Sequence, residues 1–155
     1  MGTDMDLRVV AAGSPELREQ AYALRHAVFV VEQGVPAALE RDAQDGEAFH
    51  AVALEGDRCV GTGRLVRQAD GVGRVGRMAV IPAFRRLGVG DRVLLALEAR
   101  AREDGLREIE LHAQCYVEGF YRKHGYAREG GVFEEAGIDH VVMRKRIRGG
   151  PAATS

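Results

Sequence analysis

Cysteine is scarce: Cys59 and Cys115 are the two in 155 residues, and they have no CxxC spacing. That excludes a disulfide framework and a zinc cluster, so no metal is expected and both residues read as reduced, packed thiols. No apolar run approaches the ~20 residues that a membrane-spanning helix needs. Acids stand in the first eight residues where a secretory leader carries bases and then an apolar stretch, so the chain reads as soluble and cytoplasmic, with no membrane partner. Excess charge is missing too. Lys and Arg number 22 against 23 Asp and Glu, a net of -1, which argues against nucleic acid as a partner. With neither repeats nor low-complexity blocks, 46% hydrophobic and 29% charged residues describe an ordinary globular domain. It is expected over residues 1–147, with 148–155 as a flexible tail because of Gly149, Gly150 and Pro151.

The charge is unevenly spread. Glu16 to Asp57 holds nine acids and three arginines, a net of -6, whereas Arg64 to Arg92 holds seven arginines and two acids, a net of +5. The pattern suits a polyanionic ligand at the second segment and a cationic one near the first.

A strand over Asp6–Ala12 leads into Ser14-Pro15-Glu16, an N-cap with a first-turn proline and acid. Leu17, Ala21, Leu24, Val28 and Val31 then form one helical stripe, followed by an acidic loop over Gln33–Glu47. Three strands, Ala48–Leu54, Cys59–Arg67 and Arg74–Ile81, are joined by the turn sequences Glu55-Gly56-Asp57-Arg58 and Asp70-Gly71-Val72-Gly73. The period then changes to that of a helix, from Val89 through Val93 and Leu97 to Ala101, ending at Gly105. A strand at Glu108–Gln114, a short helix at Val117–His124 and a final strand at His140–Arg146 complete an α+β domain: a meander, a parallel strand-helix-strand unit and a closing strand. Left exposed, that last strand offers Val141 and Val142 for pairing with a second copy as a homodimer.

The segment richest in chemistry runs from Met78, Ala79 and Val80 through Pro82 to Arg85, Arg86, Leu87, Gly88, Val89, Gly90 and Asp91. Free N–H groups from Arg86 to Asp91 and the helix macrodipole favour an anion, and the glycines let an oxygen-rich group reach the backbone. A Walker loop would need Lys followed by Ser or Thr, and the GxGxxG of a dinucleotide fold is absent. The residues therefore favour a pyrophosphate carried by another cofactor.

Val80-x-Pro82-x-x-Arg85-x-x-Gly88-x-Gly90 resembles the acyl-coenzyme-A-binding motif of the GNAT superfamily of N-acetyltransferases. The resemblance extends to Gln114, Val117, Tyr121, Gly125 and Tyr126, with Gln114 where the family often has Asn and Val117 where it often has Ala. Leu24 to Gln33, Glu40-Arg41-Asp42-Ala43-Gln44-Asp45 and His50 resemble the ElaA-type subgroup; acyl-homoserine-lactone synthases, which are longer, share some of this pattern.

The resemblance implies acetyl-coenzyme A as donor, its pyrophosphate on the amides of Arg86 to Asp91 and its pantetheine beside Met78 to Val80. It also implies a wedge between the strands at Val80 and Gln114, the Val80 N–H polarising the thioester, and Tyr121 as general acid. The acceptor would be a small or peptidyl primary amine that attacks directly. For the general base the residues leave three candidates, His50, His112 and Glu32, with His112 sharing a strand face with Glu110 and Gln114. His26, His124 and His140 lie on segments that read as surface. A non-catalytic coenzyme-A-binding module whose acidic loop holds a protein partner is the alternative.

Overall fold

Hairpin chemistry and strands buried on both faces set the middle of the chain. In the computed structural model, which describes residues 6–148, β1 (Leu7–Ala11), β2 (Phe49–Glu55), β3 (Arg58–Arg67) and β4 (Val72–Val80) pair antiparallel in sequence. Asp70 and Gly71, both at positive φ, close the β3–β4 hairpin. β5 (Glu108–Gln114) pairs parallel to β4, and β7 (Ile138–Arg146) lies between β5 and β6 (Ala127–Glu135), giving the order β1-β2-β3-β4-β5-β7-β6. The expected tail beyond Arg148 lies outside the described residues.

Two helices cover opposite faces. α1 (Pro15–Arg25) starts where Ser14 Oγ accepts the Leu17 N–H at 3.2 Å, and it packs Ala21 and Leu24 against β2 to β4. α3 (Val89–Glu103) lies on the other face, with Val93, Leu94, Leu97 and Ala101 fully buried, each larger side chain contributing about 1.5–3 kcal/mol. Gly63 and Gly61 of β3 permit that approach, since a Cβ on Gly61 would stand 2.7 Å from Val89 and one on Gly63 2.9 Å from Leu97. Short helices α2 (Ala37–Glu40) and α4 (Glu118–Lys123) complete the set.

Several expectations need correction. The first helix does not carry its stripe to Val31: from His26 to Glu32 the backbone is π-helical, with the Gln33 N–H bonded five residues back to Val28 O at 3.1 Å. Each residue then advances by less than the α-helical 100°, and Val31 ends 72% exposed. The last strand is not an edge; Val141 is fully buried, and β6, absent from the sequence reading, forms the edge. Pairing through an exposed Val141-Val142 strand therefore loses its premise.

Three acids of the acidic loop, Glu40, Asp42 and Asp45, are taken up by the protein's own arginines and are not free for a cationic ligand. Buried Arg25 donates to Glu40 at 2.6 Å and to both oxygens of Asp45, while Arg64 bridges Asp45 and Asp42 at 2.8 and 2.7 Å. Arg77 donates to the carbonyls of Glu40 and Leu39 and to Asp42. Despite burial, the arginines hold Asp45 far below the usual carboxylate range, and Arg64 foremost holds Asp42 low. His50, 3% exposed with Nε2 2.9 Å from Asp45 O, has its pKa lowered by burial. All three groups bind protons more readily when unfolded, so stability should fall as pH drops, first below the unfolded histidine value near ~6.5, then below ~3.9 as Asp42 and Asp45 protonate. Thermal melts from pH 8 to pH 2.5 check this; an invariant Tm would contradict it.

Candidate active site

The wedge expected between β4 and β5 originates in one extra residue. Thr62 faces Ala79 and Arg64 faces Gly76, so Arg77 and Met78 stand opposite Gly63 alone, with Arg77 in the left-handed region at φ 54°. The bulge reverses side-chain parity: Val75 faces the α3 core, while Ala79 faces Leu24 and Val28 of the first helical segment. It also bends β4 away from β5, whose last pair is Val75 with Leu111. Beyond that pair, Met78 to Val80 and His112 to Gln114 diverge.

The free edge of β4 faces into this gap. Ile81 N–H donates to Val60 O at 3.0 Å, placing Ile81 and Ala79 in the bonded positions toward β3. Val80, between them, turns its N–H and C=O away from β3 and toward β5. At the end of β4, Pro82–Phe84 form a short helical turn, Arg86 and Gly88 take positive φ, and α3 begins at Val89. None of the six backbone N–H groups from Arg86 to Asp91 has an acceptor among the described residues. A Cβ on Gly90 would touch Phe120 at 3.4 Å, so α4 closes against the helix start at that point. Asp91 turns its carboxylate aside to His124 at 2.7 Å and Lys123 at 3.0 Å, which hold it ionised despite partial burial. His124 is thus a helix-to-helix tie, not the surface residue its segment suggested.

Tyr121 packs edge-on to Phe120 and Tyr126, ring centroids 5.0 and 5.9 Å away, in the apolar cluster against which Val80 also rests. It is 8% exposed, burial pushes its pKa upward, and no group among the described residues hydrogen-bonds its hydroxyl. The hydroxyl of Tyr126 instead donates to buried Glu98 at 2.8 Å.

The three base candidates are not brought together. His50 is buried under the acidic loop, two strands from β4. Glu32 is engaged bidentately by Arg85 at 2.7 Å for each bond, and that arginine also donates Nε to Val80 O at 2.8 Å. Arg85 is therefore anchored at the wedge rather than extended toward the free amides. His112 stands beside the wedge on the face that α1 leaves uncovered, with Nδ1 2.9 Å from Glu135 and its ring against Phe133. Arg74 Nη2 lies 2.7 and 2.8 Å from the two ring nitrogens, nearly equidistant and so in line with neither lone pair. His140, judged a surface residue from sequence, is 8% exposed and stacks on Phe133. Gln114 donates to Gln33 at 2.9 Å, and Gln33 in turn donates to the hydroxyl of Tyr116. Gln33, Tyr116 and Glu135 escaped sequence reading because their partners lie 23 to 83 residues away.

A family model for the acetyltransferase (GNAT) domain matches residues 13–147. The chain belongs to the GNAT acetyltransferases. This acetyltransferase is 39% identical over 140 residues to the uncharacterized N-acetyltransferase YjcF of Bacillus subtilis, covering 90% of this chain and 99% of the relative. It is 32% identical over 135 residues to the protein ElaA of Escherichia coli, covering 83% and 88%. The crystal structure of ElaA superimposes with a TM-score of 0.79 over 92% of the acetyltransferase and 99% of the ElaA chain. Fold, family and ElaA-like relation thus agree with the sequence reading. Among the described residues of the acetyltransferase, no helix is long and apolar enough to cross a membrane.

Proposed function

We propose that this enzyme moves an acetyl group from acetyl-coenzyme A to a primary amine by direct attack. The observation that carries the reading is the row of six unpaired amides at the head of α3, next to a sheet split one pair beyond the bulge. An aligned row of N–H groups at a helix start suits a pyrophosphate, and a strand-like pantetheine suits the vacant β4 edge from Met78 to Val80. The Val80 N–H, directed into the gap, then donates to the thioester oxygen as negative charge develops there.

The amine must lose a proton, and the departing thiolate must gain one. Of the three candidates, His112 fits the role of base, because it stands beside the wedge with its ring oriented by Glu135 through Nδ1; to take a proton at Nε2 it needs Arg74 Nη2, 2.8 Å from that nitrogen, to move aside. Tyr121 fits the role of acid, since burial keeps its hydroxyl protonated and no group among the described residues occupies it.

Free thiol release from acetyl-coenzyme A, measured across a panel of primary amines with the product mass shift read in parallel, tests the proposal. The expected result is amine-dependent thiol release with a gain of about 42 daltons on the amine, as acetyl replaces hydrogen. Tight coenzyme A binding with no turnover across a broad panel would favour the non-catalytic module instead.

A further inference from the structure

Nothing in the β4–β5 ladder sets the width of the wedge, because pairing ends at Val75 and Leu111. The end of the π-helical segment reaches both walls. On the β4 side, Glu32 takes two bonds from Arg85, which also holds Val80 O. On the β5 side, the adjacent residue Gln33 accepts from Gln114 Nε2 and donates to the Tyr116 hydroxyl, just past the strand end. Two consecutive side chains therefore join walls that no backbone bond connects.

We infer that Glu32 and Gln33 are positioning residues, forming a two-legged strut that fixes the spacing between the Val80 peptide and the end of β5. The inference rests on the acetyl-transfer reading above and assigns Glu32 a mechanical part in place of proton transfer. Its physical basis is geometric rather than a large gain in stability. Arg85 and Glu32 are 38% and 42% exposed, and an ion pair so accessible adds little to folding. A bidentate guanidinium–carboxylate pair nonetheless fixes direction, and here a third bond ties the guanidinium to the carbonyl of Val80, the residue whose own N–H is turned into the gap. An error of ~1 Å between thioester and amine is enough to cost ~10²-fold in rate.

The π-turn explains why the two residues can do this. Had the helix continued with α-helical rotation, Val31 would have remained on the buried stripe and Glu32 would have turned elsewhere. The wider turn rotates Val31 into solvent and sets Glu32 and Gln33 over the gap, consistent with the placement of π-bulges at functional sites.

The test uses the full chain with Glu32→Gln, Gln33→Leu, Gln33→Glu and the double variant Glu32→Gln/Gln33→Leu. A strut that needs both legs gives about tenfold lower kcat for either loss, KM for acetyl-coenzyme A rising less, and no further loss in the double variant. Gln33→Glu restores most of the rate, since a carboxylate accepts both from Gln114 Nε2 and from the Tyr116 hydroxyl. Losses that multiply in the double variant, failure of Gln33→Glu to rescue, or a kcat drop tracked by a matching fall in Tm would each overturn the strut. If the wild-type protein turns over no amine, the acetyl-transfer reading fails. The strut is then judged on coenzyme A affinity by calorimetry: several-fold weakening in Gln33→Leu with rescue by Gln33→Glu supports it, and unchanged affinity rejects it.

Discussion

Tyr121→Phe is expected to lower turnover by ~10² to 10⁴, the range for loss of one general acid, with little change in KM for acetyl-coenzyme A. Phe keeps the edge-on packing against Phe120 and Tyr126 and removes one oxygen that bonds to no protein group among the described residues. For the same reason the melting temperature should hold or rise slightly, because no partner is left unsatisfied. The raised pKa has a kinetic corollary: the tyrosine is protonated throughout the neutral range, so the wild-type pH–rate profile should show no fall attributable to it below about pH 10. A purely structural tyrosine gives a different pattern, in which Phe is nearly neutral and only Ala, opening a cavity, is harmful. Steady-state kinetics and a melt on the Phe variant separate the two; near-wild-type turnover would remove Tyr121 from the mechanism.

Gly88→Glu should weaken coenzyme A binding by at least ~10²-fold while the domain stays folded. Gly88 occupies the left-handed region at φ 84°, which costs a residue with a Cβ roughly 1–2 kcal/mol, a fraction of an ordinary domain's stability. A Cβ there meets no protein atom closer than Asp91 Oδ2 at 4.0 Å, so the added carboxylate is free to lie among the unpaired amides. It would compete for them and repel phosphate. Calorimetry gives the affinity and circular dichroism the fold. Affinity within threefold of wild type would show that the pyrophosphate lies elsewhere.

What could be read in advance was what is local in sequence. Pro82, Gly88 and Gly90 lie within nine residues, and each shapes the backbone through its own residue type. The helix at Val89 and the strand at Glu108 were legible for the same reason, each announcing its period over several repeats. β6 was not: from Ala127 to Glu135 nearly every residue is exposed on both faces, so burial imposes no alternation. The π-turn was hidden because its sequence continues an α-helical stripe, and only the packing of Val28 without Val31 reveals the change. The acidic loop misled for a third reason: its partners, Arg25, Arg64 and Arg77, come from a helix and two strands that only the fold assembles.

The bulge at Arg77 and Met78 also separates two properties that usually travel together. One residue fewer in β4 would leave a strand able to pair regularly with β3 and β5, with Val75 in the core as before. The result would be a more ordinary sheet with no opening in it. Architecture and ligand capacity in this protein are therefore independent inheritances, divided by a single codon.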